Sequence, residues 1–437
     1  MKTPHRSRRW RVLLLALGIA AAHNRSAAAQ SGPDTLPLAE ALAVARDANP
    51  MLRAARLRAD AADERISQAG ALPDPQLSFA LMNRPLGDFG TREPMTMNQV
   101  QLTQMLPWPG KLGFSRERAR RLAEAVALDA DGTELALMAR VKSVYYRLAY
   151  TDRSLAIMEQ TRELLRDFHQ VSSAMYSVGA GLQQDVLQAQ VSVARMTEDI
   201  TVMEQERLAM AARLNALLGR DATAPVGALE LSPPHGALPG VDSLMALAVA
   251  RRPAIRAARA RVEAADAGYR AARREVYPDF MVGLGYGQRP QFDDMATIMV
   301  GISVPLFAGS RQLPMRREME AMRATEEAME RDLSNETFAM LAELRAEAER
   351  SRRLSELYAG AVLPQARAAV ESALSAYRVG NVDYMTLVEN EMTVNRYEIE
   401  TVRLAADYHR AIADVEALVG GALAPIPPIR TEAGGAP

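Results

Sequence analysis

A fifteen-residue pattern occurs twice and limits what this chain can fold into. YSVGAGLQQDVLQAQ (Tyr176–Gln190) and YRVGNVDYMTLVENE (Tyr377–Glu391) each lie between two long helical stretches. Each places a glycine three residues after a tyrosine, where a helix must stop and turn back. Other matches keep the same order. ALAVAR recurs at 41–46 and 246–251, and NPMLRAARLRADAAD (49–63) pairs with RPAIRAARARVEAAD (252–266). LPDPQLSFAL (72–81) pairs with VYPDFMVGLG (276–285), and LNALLG (214–219) with VEALVG (415–420). The tips are 201 residues apart, so the 437-residue chain is a tandem repeat of one unit.

Each unit reads helix, two strands, long helix, turn, helix. The repeats are expected over 30–220 and 241–420, with a linker at 221–240. Alanine-rich spacing predicts single helices over 35–70 and 241–276, ended by Pro73, Pro75 and Pro278. β-hairpins follow at about 75–106 and 279–306. Phe280, Val282, Leu284 and Tyr286 share one face of a strand, and Met281, Gly283, Gly285 and Gly287 the other. The same period of two runs through 77–81, 99–103 and 298–304. Long helices are expected at 111–178 and 310–378, about 100 Å each at 1.5 Å per residue, with a kink at Pro364. Helices near 182–219 and 382–419 complete the units. In each unit the two shorter helices together match the long one, so they can stack end to end along it as a coiled-coil rod. The fold class is α+β, dominated by long helices with four strands. The proline- and glycine-rich tail, 421–437, is predicted disordered.

Residues 1–29 read as a signal peptide: a basic leader, an apolar run over 12–22, and Ala27-Ala28-Ala29 before Gln30. The chain has no cysteine, which excludes disulfides, thiolate chemistry and a lipidated N-terminal cysteine. Its net charge is −1, and no basic stripe points to nucleic acid. Catalysis is not expected, because the five histidines are scattered and no phosphate loop or nucleophile set stands out. No cofactor and no resident metal is expected either.

Strands of 8–10 residues with one greasy face and one small or polar face suit a membrane barrel. A half-buried strand of a soluble sheet shares the pattern. Four strands cannot close a barrel, and an open edge is excluded from lipid. Copies must therefore pool strands: three chains supply twelve, whereas two leave little interior. The chain resembles the TolC family of outer-membrane efflux proteins. The resemblance rests on both Tyr-x-x-Gly tips with DVLQAQ (185–190) and TLVENE (386–391), and on the strand ends QMLPWPGK (104–111) and SVPLFAG (303–309). It implies a homotrimeric duct with a twelve-stranded β-barrel in outer-membrane lipid and an α-barrel in the periplasm of a Gram-negative cell. It also implies a periplasmic adaptor and an inner-membrane pump, expected to be of the RND type. A soluble periplasmic coiled-coil adaptor or scaffold is the alternative.

Gly179 and Gly181, and Gly380 with Asn381, are expected to supply the φ > 0 positions that the tight turns of the tips need. By resemblance, the tips receive the adaptor through Val178, Gly179, Gly181, Leu182, Val379, Gly380 and Asn381. Helical spacing past the tips can aim Asp185 and Glu389 into a pore as rings of carboxylates, or leave them as solvated helix residues. The family's two acidic positions in the second unit fall here on Thr386 and Glu389, so only one is acidic. Met82, Met95, Met97 and Met105 cluster around the first hairpin. Thioethers suit Cu(I) or Ag(I) and also fill packing gaps, while LPWPGK resembles the heavy-metal branch of the family.

Overall fold

The structure, a computed structural model, describes residues 35–87 and 90–423. The expected signal peptide and all but the first three residues of the tail lie outside that range. The first repeat runs α1 (Leu38–Ala48), α2 (Pro50–Gly70), β1 (Gln76–Met82), β2 (Met97–Leu106), α3 (Lys111–Ser177) and α4 (Gln183–Leu217). The second runs α5 (Val241–Arg251), α6 (Pro253–Arg274), β3 (Asp279–Gln288) and β4 (Met295–Ser303). It continues through α7 (Gln312–Leu357), a π-helical turn (Tyr358–Val362), α8 (Leu363–Arg378) and α9 (Tyr384–Val419).

One expectation needs correction. The single helices over 35–70 and 241–276 are each two helices, broken before Pro50 and Pro253. Proline lacks an N–H and clashes with the carbonyl four residues back, so it is tolerated only where a new helix begins. The Asn49 side chain caps that start, accepting from the Met51 and Leu52 amides at 2.9 and 3.3 Å. At Pro364, where the long helix is expected to kink, the chain widens into the π turn just before the proline. There the Leu363 amide reaches the Tyr358 carbonyl, five residues back. One extra residue in the turn relieves the proline's steric conflict, and helical hydrogen bonding runs on from α7 into α8.

The helices form four columns. α3 packs on α2 above and α4 below on one side, and on α6 and α9 on the other; α7 and α8 close the far edge against α6 and α9. The short helices stack end to end at the proline breaks. Gly219, just past α4, ends beside Ala48, and Gly420, at the end of α9, ends beside Arg251 and Arg252. Both glycines are left-handed, with φ 66° and 86°. The Asn49 amide also donates to the Leu217 carbonyl at 2.9 Å across the first junction. This is the physical role of the repeated LNALLG and VEALVG: a helix end tight enough to butt against another backbone.

Among the described residues, four apolar cores run along the rods, the smallest joining α3 and α6 through Ala125, Leu128, Ala257 and Ala260. One joins α1, α2, α3 and α4, with Leu52, Val141, Tyr145, Leu148 and Leu214 buried. Its counterpart joins α5, α6, α7 and α9. A third binds the two tips. The linker is tied down by tyrosines from the long columns. The Tyr145 hydroxyl donates to the Leu36 carbonyl at 2.9 Å and accepts from the Glu230 amide at 3.0 Å. The Tyr408 hydroxyl donates to the His235 carbonyl at 2.6 Å. Exposed helix faces carry close ion pairs, and hydrogen bonds from Arg120 and Arg121 pull the Glu117 carboxyl down to about 2.

The strands form one antiparallel sheet in the order β1-β2-β3-β4. The central β2–β3 pairing joins the two repeats, with Leu102 opposite Leu284. At the sheet's helical end, Trp108 stacks on Tyr277 and Phe280 at 5.2 and 5.7 Å between centroids. The Lys111 ammonium lies 2.9 Å from Asp279 and 3.3 Å from Glu275, locking the start of α3 to the start of β3.

The junctions give a direct test. A Cβ at Gly420 would lie 2.6 Å from Arg251 backbone atoms, on a left-handed φ. Gly420→Ala should lower stability by at least about 2 kcal/mol. Gly309→Ala, whose Cβ meets nothing within 4 Å, serves as the control. Thermal unfolding followed by circular dichroism reads both.

Candidate functional site: the paired tips and the two-faced sheet

The tips are built alike. In the first, α3 ends and Gly179 turns with φ 76°; its amide bonds the Tyr176 carbonyl at 3.0 Å, and the Ala180 amide the Met175 carbonyl at 2.9 Å. In the second, Gly380 turns with φ 77°; its amide bonds the Tyr377 carbonyl at 3.0 Å, and the Asn381 amide the Ala376 carbonyl at 2.9 Å. A Cβ at Gly179 or Gly380 would meet no neighbour, so the requirement there is conformational alone. Gly181 and Asn381, expected to share the left-handed conformation, do not adopt it; one left-handed glycine suffices for each turn. Gly181 is required for space instead, because a Cβ would crowd Met175 and the Tyr176 amide at 3.1 Å.

One core holds the tips side by side. Tyr377 and Tyr384 are buried among Leu165, Phe168, Ala189, Leu387 and Val388. Beyond that core, Val178, Leu182 and Val379 are 77, 66 and 69 % exposed. The seven expected contact residues therefore gather at one end of the molecule, with apolar side chains facing outward from rigid turns.

The three gate candidates part company. Asp185 sits in the first turn of α4, half-buried, and faces the second tip. Burial pushes Tyr384 up to about 12 and Tyr377 also upward, and the Asp185 charge adds to both. Glu389 is exposed on α9. Thr386 is held by the helix cap: its amide and hydroxyl donate to the carboxylate of Asp383, the N-cap of α9, at 2.9 and 2.6 Å. Sequence reasoning passed over Glu391. Its side chain is 5 % exposed, and among the described residues no ion-pair or hydrogen-bond partner meets its carboxylate. Burial first, and the nearby Glu398 second, push its pKa up. Only knowledge of the packing singles it out, because its place in TLVENE looks like any solvated position.

The sheet has two unlike faces, fixed by register. One carries Leu77 and Phe79 opposite Leu102 and Val100, continuing through Val282, Leu284 and Tyr286 to Ile298, Val300 and Ile302. These side chains are largely exposed in the single chain. The other face carries Ser78, Gln99, Gln101, Thr103 and Thr297 among glycines and methionines. The methionines lie across the glycines of neighbouring strands. Cβ atoms at Gly287, Gly283 and Gly301 would lie 2.7, 3.0 and 3.1 Å from side-chain atoms of Met97, Met299 and Met281. Of the expected methionine cluster, Met82, Met97 and Met105 are on this face, while Met95 lies in the loop between β1 and β2.

Glu391 yields a pH prediction. Its folded pKa lies above the ordinary value of 4.5. The folded state therefore holds the proton more tightly than the unfolded one, and stability is lost as pH rises from 4.5 through the folded value. Glu391→Gln should flatten that part of the profile and raise the thermal midpoint at neutral pH.

The outer membrane efflux protein family matches the chain over residues 41–220 and 244–421. Among similar curated proteins is the cobalt-zinc-cadmium resistance protein CzcC of Cupriavidus metallidurans, 23 % identical, with 89 % of this chain and 91 % of that protein covered. Another is the pyoverdine export outer membrane protein OpmQ of Pseudomonas putida, 25 % identical, covering 88 % and 86 %. Among solved structures, the outer membrane protein VceC of Vibrio cholerae superposes with a TM-score of 0.75 at 18 % identity, covering 88 % of this chain and 96 % of that one. CusC gives the same TM-score at 17 % identity, covering 88 % and 92 %. Two matched segments in the right order, the paired tips and the two-faced sheet agree: the chain belongs to the outer membrane efflux protein family, the TolC-like channels.

Proposed function

We propose that three copies of this chain form the outer-membrane exit duct of a tripartite efflux pump. The observation that carries the reading is the sheet: a greasy outer face and two open edges, β1 and β4, on a single chain. Pairing β1 of one copy with β4 of the next satisfies both edges, and three copies close twelve strands around a lumen lined by the small and polar face. The apolar face meets lipid. The helical columns follow the same three-fold arrangement into the periplasm. A soluble periplasmic scaffold is not favoured, since it leaves the sheet's outer face without a partner.

At the far end, the exposed Val178, Leu182 and Val379 around Gly179, Gly181, Gly380 and Asn381 receive the hairpin ends of a periplasmic adaptor, which joins the duct to an inner-membrane pump of the RND type. Asp185 and Glu389 narrow and charge the mouth, with Thr386 supporting the turn beside them. Relatives' names point to different cargoes, metal ions for CzcC and a pyoverdine for OpmQ. The thioether-bearing sheet face favours soft cations such as Cu(I) and Ag(I) for this chain.

The native chain lacks cysteine, so engineered pairs report cleanly. Cysteines scanned along β1 and β4 should give disulfide-linked dimers and trimers in outer membranes; a scan with no linked species sinks the trimer. Val178→Asp combined with Val379→Asp should abolish efflux-dependent tolerance while the heat-modifiable trimer persists. Full tolerance with that pair would remove the tips from docking.

A further inference from the structure

All six methionines of the four strands stand on one face of the sheet: Met82, Met97, Met105, Met281, Met295 and Met299. Leucine, isoleucine, valine, phenylalanine and tyrosine occupy only the opposite face. Gap-filling alone does not sort side chains this way, because leucine packs a gap as well as methionine with little change of volume. What distinguishes the inward face is sulfur.

The register gathers these sulfurs into two groups. At the helical end, Met105 is directly opposite Met281, while Met281 and Met299 cross diagonally, each lying over a glycine of the other's strand. At the loop end, Met82 is directly opposite Met97, whose Sδ lies over Gly287, the partner of Met295. Directly opposed residues have Cβ atoms about 5 Å apart, and three rotatable bonds let such thioethers converge on one ion. All six side chains are at least partly accessible.

We propose that the inward face of the sheet carries two thioether sites for Cu(I) and Ag(I), one at Met105, Met281 and Met299 and one at Met82, Met97 and Met295. The proposal rests on the duct reading above, in which this face lines the lumen. Neutral thioethers hold a soft monovalent cation without a fixed charge and leave Zn(II) or Co(II) largely to water. Flexible, half-exposed ligands bind weakly, which suits a conduit: an ion must enter a site readily and leave it readily. The glycines beneath the methionines keep the side chains flat, so the sites narrow the lumen little.

The test uses the full-length oligomer in detergent and Ag(I) as the probe, by equilibrium dialysis in chloride-free buffer. Met105→Leu, Met281→Leu and Met299→Leu together, and Met82→Leu, Met97→Leu and Met295→Leu together, should each remove one class of bound silver. All six should weaken retention at least tenfold with the heat-modifiable band intact. Met340→Leu with Met392→Leu, exposed on helices, should bind as the parent does. Retention by the six-leucine protein equal to the parent's overturns the sites. Equal retention of Zn(II) and Ag(I) by the parent does so too. A deletion strain separates this from the cargo reading. Unchanged copper and silver tolerance on deletion, with silver binding still methionine-dependent in vitro, removes the cargo and leaves the sites. A sensitive deletion strain, with silver binding indifferent to leucine, removes the sites and leaves the duct.

Discussion

A strand edge in lipid has no water to satisfy it, and each unpaired amide or carbonyl there costs several kcal/mol. This single constraint organises the molecule. β1 and β4 each present one edge that no other strand among the described residues pairs, and the sheet between them is greasy on the side that would meet hydrocarbon. In the proposed duct these edges are where neighbouring copies pair. The helical body obeys the strands, because each strand runs into one column: α2 leads into β1, β2 into α3, α6 into β3 and β4 into α7.

Where four strands run into four columns, charged and aromatic contacts tie the junction together. Lys111 is one of only three lysines in the sequence. It sits almost buried between Glu275 and Asp279, where an ammonium is tolerable only because two carboxylates meet it. The stacked Trp108, Tyr277 and Phe280 add an amphipathic layer of the kind found where membrane proteins leave the bilayer. Lower down, glycine ends set against proline starts make two short helices behave as one.

Much of this was legible in the residues. The turns after Tyr176 and Tyr377, the period-two strands and the family are local or ordered signals that survive without knowledge of packing. The helix breaks at Pro50 and Pro253 were hidden because the alanine spacing continues across them, and only the abutting Gly219 and Gly420 explain where the stop falls. The π turn was hidden because a proline admits both a kink and a widened turn. The role of Thr386 came from capping by Asp383, a local signal that a family-based alignment of acids obscured. Glu391 and the sorting of methionines could not be read at all. One depends on what α9 packs against, the other on register between hairpins from different repeats.

That register also governs the order of folding. The side chains of Asn98 and Gln288 meet across the β2–β3 pairing although 190 residues separate them. Closing so long a loop is entropically late compared with forming helices and hairpins. During synthesis and export the first hairpin therefore exists for a long interval with Leu77, Phe79, Val100 and Leu102 displayed and its inner edge open. In that interval it is a segment prone to pairing with the wrong partner. The local helical rods, which need no distant strand, are then the natural scaffold that brings the second hairpin to the first.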